Sequence, residues 1–282
     1  MSVNSTRYSW RQMLRIVWAV GWADFVLKYR GSFFGYLWSL ALPAMKFLVI
    51  FHVFRSFVGG EIENYPLYLM LGLIVWEYFA RVTHGCIAML RHKEGVIQKV
   101  PFPRLILIFA VGWTDTIVFF THCLIFLVLA WMMHVSPALL SFYTPLLLLQ
   151  MLLLFLGTGM LLSAYSLRFR DIEHIWSMVL QVLFWLTPIM YLYTLHSPLS
   201  RQAKDMAAGN LPSTAWGLLD TFITFQPLSI LIHDTRRVVL YSQTAGVPSA
   251  VHAAIFTAFC FLVFAAGTAL FRYRSTYFLQ EY

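Results

Sequence analysis

The sequence predicts an all-α integral membrane protein, and three observations lead there. Of its 282 residues, 60% are hydrophobic and only 11% are charged. The mean hydropathy is +0.72, and an ordinary soluble chain carries about 25% charged residues. Six apolar windows have the length of a bilayer-crossing helix, about 20 residues. The Lys and Arg residues are distributed unevenly between the segments that join those windows. This composition excludes a disulfide scaffold, a nucleic-acid-binding domain and a disordered tail. Cys86, Cys123 and Cys260 lie in apolar runs, where a thiol packs as a small hydrophobe, and they match no zinc or redox spacing.

The windows are Phe33–Phe54, Tyr65–Leu90, Leu105–Met133, Tyr143–Leu167, Ile175–Leu195 and Ala250–Phe271. The first carries Pro43, Lys46 and His52, and the third carries Asp115. Residues 7–30 place Trp10, Met13, Leu14, Val17, Trp18 and Trp22 near helical spacing, with Arg7, Arg11 and Arg15 between them. Such a basic, aromatic helix is expected to lie in the cytoplasmic membrane interface. The same arginines, with Asp24, Lys28 and Arg30, break the first thirty residues, so no cleavable signal peptide is expected. Residues 196–249 are too long for a simple loop and too polar for a span. Pro198, Gly209, Pro212, Pro227, Gly246 and Pro248 divide them, which predicts short amphipathic or re-entrant helices on the outer face. The chain reads as one transmembrane domain over 1–282.

Orientation follows from charge. Arg7, Arg11, Arg15, Lys28 and Arg30 precede the first window, and Arg91, Lys93, Lys99 and Arg104 follow the second. Arg168 and Arg170 follow the fourth, and Arg272 and Arg274 follow the last. The opposite side has Arg55, Arg201, Lys204, Arg236 and Arg237. The richer side faces the cytoplasm, so both termini are expected there.

Motifs for chemistry are absent from the sequence. None of the five lysines sits in a Walker A loop, and no HExxH, G-x-S-x-G or paired-Cys zinc pattern occurs. No catalytic residue and no metal site is expected. A lone His within a span, such as His52 or His122, reads as a packing residue. The intramembrane polar residues Lys46, Glu77, Arg81 and Asp115 are candidates for function by their cost alone. Glu77 and Arg81, four apart, share a helix face and could pair. Rings at Tyr36, Trp38, Trp76, Tyr78, Phe184, Trp185, Tyr191 and Tyr193 could line a conduit, because an aromatic face suits the C–H face of a sugar. Membrane-belt positions are the plainer reading for any one of them.

Four stretches together resemble the polysaccharide-export permeases, the membrane subunits of type-2 ATP-binding-cassette exporters for O-antigen, teichoic acid and capsule. The first runs from Lys28-Tyr29-Arg30-Gly31-Ser32 to Trp38 and Pro43, and the second is Lys99-Val100-Pro101-Phe102-Pro103-Arg104. The third is Arg168-Phe169-Arg170-Asp171-Ile172 with the later Thr187-Pro188-Ile189-Met190-Tyr191, and the fourth is Phe225-Gln226-Pro227-Leu228-Ser229. In the last, Gln226 stands where the family usually has Asn. The resemblance covers the chain in order. It implies a bacterial inner-membrane permease working as two copies, with two separate ATPase subunits that bind the ATP and magnesium. It also implies outward movement of a lipid-linked polysaccharide.

The resemblance also assigns residues. Arg91, His92, Lys93, Glu94 and Lys99, in the coupling loop at 91–104, would dock on the ATPase, with Arg168, Arg170, Asp171 and Glu173 as a second contact. Lys28, Tyr29 and Arg30 would meet the lipid pyrophosphate during substrate loading, and 196–249 would close the outer exit. Two alternatives stand beside this reading. One is a type-2 exporter of a drug, lipid or peptide. The other is an ion-coupled secondary transporter built on Glu77, Asp115 or Lys46, whose internal repeat symmetry is not visible.

Overall fold

The computed structural model describes residues 9–31, 35–58, 62–92, 104–138, 143–166, 168–169, 171–191, 221–244 and 246–277. Among them the chain forms eight longer helices, a short helical stretch at 221–225 and no strand. The eight are α1 (Trp10–Tyr29), α2 (Leu37–Val58), α3 (Tyr65–His92), α4 (Leu105–Met132), α5 (Tyr143–Ser166), α6 (Ile172–Leu186), α7 (Pro227–Val239) and α8 (Ala250–Tyr277). In lipid a backbone must satisfy its own hydrogen bonds, and an all-helical chain does so.

Among the described residues four helices are long and apolar enough to cross a membrane, namely Leu37–Ser56 in α2, α4, α5 and Ala250–Ser275 in α8. The Tyr65–Leu90 window becomes α3, which is as long as α4 but lies at the centre. It packs against α2, α4, α5, α6 and α7, and every residue from Leu67 to Phe79 is buried. The window Ile175–Leu195 requires correction. Its helix spans 15 residues and stops at Leu186, well short of the roughly 20 a bilayer core requires. Thr187 is extended at φ −83°, ψ 134°, as expected for a residue whose helical conformation would clash with the ring of a following proline, here Pro188. Residues 187–191 continue as bent, non-helical chain.

Small residues set the tightest seam. A Cβ on Gly267 would lie 2.4 Å from the Gly157 carbonyl oxygen, and one on Gly157 would lie 2.8 Å from the Phe264 Cα. Only glycine lets α5 and α8 approach backbone to backbone, the mode of packing available where lipid provides no hydrophobic drive. The two helices run parallel. Gln150 Nε2 donates to Thr257 Oγ1 at 2.9 Å near one end, and Arg274 lies 4.3 Å over the Tyr165 ring at the other.

The helix expected over 7–30 forms as α1. Trp10, Leu14, Trp18 and Trp22 are exposed along one face at four-residue spacing, as an interfacial helix requires. The helix packs on α4, where the Trp18 ring lies 4.9 Å from that of Trp113, Gly21 sits against Trp113 and Ala110 and Thr114 Oγ1 donates to the Gly21 carbonyl at 3.0 Å.

Candidate functional site

The central helix α3 carries a polar stripe. Glu77, Arg81 and His84 recur at helical spacing and therefore share a face. Each meets a different neighbour. Lys46 Nζ of α2 lies 2.5 Å from Glu77 Oε1, and Arg81 Nε lies 3.7 Å from Asp115 Oδ1 of α4. His84 Nε2 is 3.9 Å from Glu173 Oε1 of α6. The pairing of Glu77 with Arg81 suggested by their spacing does not form, because each finds its partner on another helix. A buried carboxylate is stabilised only by close countercharge, and Lys46 supplies it to Glu77 at hydrogen-bonding distance. Arg81 is less well served. Its separation from Asp115 is too long for a hydrogen bond, and its buried Nε and Nη2 have no hydrogen-bond partner among the described residues. Lys28 of α1 lies within electrostatic reach of both Arg81 and Asp115.

A second feature joins α2 to α4. Pro43 lies inside α2 and has no N–H, so the Ser39 carbonyl loses its helical partner four residues on. His122 of α4, fully buried, fills the gap with Nε2 at 2.9 Å from the Ser39 oxygen. Since a carbonyl only accepts, the imidazole proton resides on Nε2. The Tyr36 hydroxyl donates to Thr121 Oγ1 beside it. His122 is thus a satisfied packing residue, as its isolation in the sequence implies.

A third feature ties the non-helical end of α6 to α7. A helix terminus leaves its last carbonyls without partners, and here distant side chains supply them. Arg236 donates through Nη1 to the Pro188 oxygen at 2.7 Å and through Nη2 to the Ile189 oxygen at 2.8 Å. Its Nε donates to the Tyr68 carbonyl at 3.1 Å, and its guanidinium lies 3.4 Å over the Tyr68 ring. The Tyr65 and Tyr68 hydroxyls donate to the Met190 and Tyr191 carbonyls at 3.0 and 3.1 Å. Gln226 Nε2 reaches the Leu186 carbonyl and Thr187 Oγ1, both at 3.3 Å, and Ser229 Oγ at 2.6 Å. Gly72 makes the room, since a Cβ there would stand 2.3 Å from Arg236 Nη2. Nearby, the Tyr241 hydroxyl donates to the Glu63 carbonyl at 2.7 Å. Burial pushes that phenol up to about 12, so it stays protonated at neutral pH. Asp234 of α7 holds His252 of α8 at 3.0 Å. The knot brings together Thr187–Tyr191 and Phe225–Ser229, two stretches singled out in the sequence. Arg236, its centre, was recognised only as an outside charge.

With this geometry in view, the comparisons with known proteins are direct. Residues 15–201 match the family described as ABC-2 type transporter. The chain belongs to that family. The matched stretch takes in most of α1 and all of α2 through α6, and ends before α7. Among similar curated proteins is the O-antigen export system permease protein RfbA of Klebsiella pneumoniae, 25% identical over 218 residues, 77% of either chain. Another is the O-antigen export system permease protein RfbA of Myxococcus xanthus, 30% identical over 164 residues, 58% of this chain and 63% of that one.

As an ABC-2 type transporter the chain distributes its candidate residues unevenly. Of the rings, Trp38 and Trp185 are exposed and Tyr36, Phe184 and Tyr191 half-buried. Trp76 and Tyr78 need correction as conduit candidates, for both are buried in the core. Trp76 packs edge-on against Phe184 at 5.4 Å, and Tyr78 against Phe119 and Phe155 at 4.7 and 5.2 Å. Lys93, Glu94, Lys99, Arg170 and Tyr193 lie outside the described residues, as do the side chains of Tyr29, Arg91 and His92. Arg168 is exposed, 5.4 Å over the Phe169 ring. Asp171 stands at the N-cap of α6 and Glu173 in its first turn, where negative charge suits the helix dipole. Lys28 and Arg30 are exposed at the end of α1. His84, which completes the α3 stripe, went unnoticed in the sequence, although its spacing from Glu77 and Arg81 was visible there.

Proposed function

We propose that this transporter is the permease subunit of an ATP-driven exporter that moves a lipid-linked polysaccharide of the O-antigen class outward across a bacterial inner membrane. The observation that carries this reading is the alignment with O-antigen export permeases over about three quarters of the chain, 77% for one of them. Since no lysine here lies in a phosphate-cradling loop, hydrolysis belongs to separate ATP-binding subunits. These would push at the 91–104 loop and at the 168–171 turn. Two copies would form the path. α6, apolar and with no buried residue in the single subunit, presents Ile175, Met178, Val182 and Trp185 outward. The exposed Trp38, Leu42, Met45 and Val49 of α2 offer a second such face. The knot at 187–191 would hold the outer exit shut between cycles.

The ion-coupled alternative needs a carboxylate free to exchange its proton. Glu77 and Asp115 each face a cation instead, which disfavours that role. The test is co-purification in detergent with the ATP-binding subunit encoded beside this chain, followed by ATP hydrolysis and export assays in proteoliposomes. A stable complex is expected, with hydrolysis uncoupled by charge reversal at Lys93, Lys99 and Arg170. Absence of any complex, with the chain still folded, would sink the reading.

A further inference from the structure

We propose that Lys46 lines the path of the exported chain and hydrogen-bonds its sugar hydroxyls, with Glu77 as the positioning residue that holds the ammonium. The proposal rests on the permease reading and gives it a contact inside the membrane. Lys46 stands about 14 Å along α2 from Leu37 and about 18 Å from Val58, at about 1.5 Å per residue. In a hydrocarbon core about 30 Å thick, that is close to the middle. A lysine near a helix end escapes lipid by extending to the interface. This one instead places its ammonium 2.5 Å from Glu77 Oε1.

The two side chains are covered unequally, Glu77 being 10% exposed and Lys46 43%. An ionisable group at this depth faces a bundle interior or a water-filled cavity, because lipid solvates no charge. The single subunit leaves Lys46 open, so the surface it opens onto is not lipid. The helix around it agrees. Trp38, Leu42, Met45 and Val49 are exposed, and so are His52 and Ser56. Their alternating spacing of four and three residues makes one stripe along α2, and Lys46 stands beside it between Leu42 and Val49. A dry contact between two copies would have to pair Lys46, His52 and Ser56 individually. Water and sugar hydroxyls do so without a fixed partner. An ammonium has three protons, and Glu77 takes one, which leaves donors for passing hydroxyl oxygens. The Trp38 ring, about two turns away on the stripe, offers its face to sugar C–H groups.

The first experiment labels single cysteines with a charged, membrane-impermeant methanethiosulfonate, using the full chain bound to its ATP-binding subunit in proteoliposomes. Met45→Cys and Val49→Cys probe the stripe and leave the ion pair intact. Leu124→Cys on α4 and Leu262→Cys on α8, at least as exposed in the subunit, probe uncharged faces. The unsubstituted chain gives the background. Only the thiolate reacts and lipid suppresses it, so the stripe should label about tenfold faster or more than the controls. Equal rates at all four overturn the proposal. The labelling is repeated on the chain alone. Failure to recruit an ATP-binding subunit then counts against the permease reading, whereas equal labelling counts against this site.

The second experiment measures export of the cell's own surface polysaccharide beside ATP hydrolysis by the purified complex. Lys46→Gln combined with Glu77→Gln removes both charges together, so no buried carboxylate is stranded. Export per ATP hydrolysed is expected to fall about tenfold, the loss of one charged hydrogen bond. Lys46→Arg should retain export, and Glu77→Asp should retain part of it where Glu77→Gln does not. A pair that merely holds α2 on α3 predicts otherwise: unchanged export per ATP in the neutral double variant, with any loss confined to its melting temperature. That result overturns the sugar contact even where the stripe labels. Should the double variant fail to fold, the labelling rates and Lys46→Arg decide.

Discussion

Two arginines of this bundle are buried in ways that differ. Arg236, 3% exposed, uses all three of its nitrogens on backbone carbonyls and lays its plane over Tyr68. Arg81 has one carboxylate at 3.7 Å and two dry N–H groups. A desolvated guanidinium is tolerated when its donors are filled, so Arg236 holds its surroundings together. Arg81 is left with two buried nitrogens that nothing among the described residues fills. Burial alone does not distinguish the two; the tally of filled donors does.

The comparison breaks first at Arg236. Arg236→Gln is expected to cost about 3–5 kcal/mol, since it removes one partner from a buried charged network, and Arg81→Gln less than half as much. Thermal unfolding in one detergent ranks them, and equal losses would erase the distinction. Gly72→Ala pushes a methyl against the Arg236 guanidinium without touching Arg81. A loss of about 1–3 kcal/mol is expected from overpacking, and it should shrink in an Arg236→Gln background.

The Ser39 carbonyl gives a sharper version of the same test with a neutral donor. His122→Ala leaves that oxygen buried and unpaired, at about 1–2 kcal/mol. Pro43→Ala restores an N–H four residues on, so the double variant should be more stable than the sum of the single losses predicts. Strict additivity would mean that His122 acts through packing alone. The smallest effect is expected at the exposed end of a pair. His84 is 44% exposed along its side chain and 3.9 Å from Glu173, itself 21% exposed, and His84→Gln should cost within about 1 kcal/mol, read from the same melts.

The sequence made local features legible. The ends of α4, α5 and α8 fall within a few residues of the apolar windows or run past them, because hydropathy and length are local quantities. The cut at Leu186 had a visible cause in Pro188, yet the window ran on to Leu195, since hydrophobicity alone does not register where carbonyls find partners. Those partners, Gln226 and Arg236, lie about forty to fifty residues further on, and no periodicity links them to Thr187. Glu77 and Arg81 show the same limit. Spacing gave a plausible pair within one helix, but the choice of Lys46 and Asp115 depended on how α2, α3 and α4 assemble. Docking residues of the 91–104 loop rest on resemblance, for they lie largely outside the described residues.

The glycine seam has a mechanical consequence. With Gly157 and Gly267 pressed together, and with contacts from Gln150–Thr257 to Tyr165–Arg274, α5 and α8 have no play between them. They act as a single push rod. One end adjoins the turn at 168–169; the other holds α7 through His252 and Asp234. A thrust delivered at the turn therefore travels the length of the rod as displacement, not as bending, and arrives beside the knot that Arg236 ties.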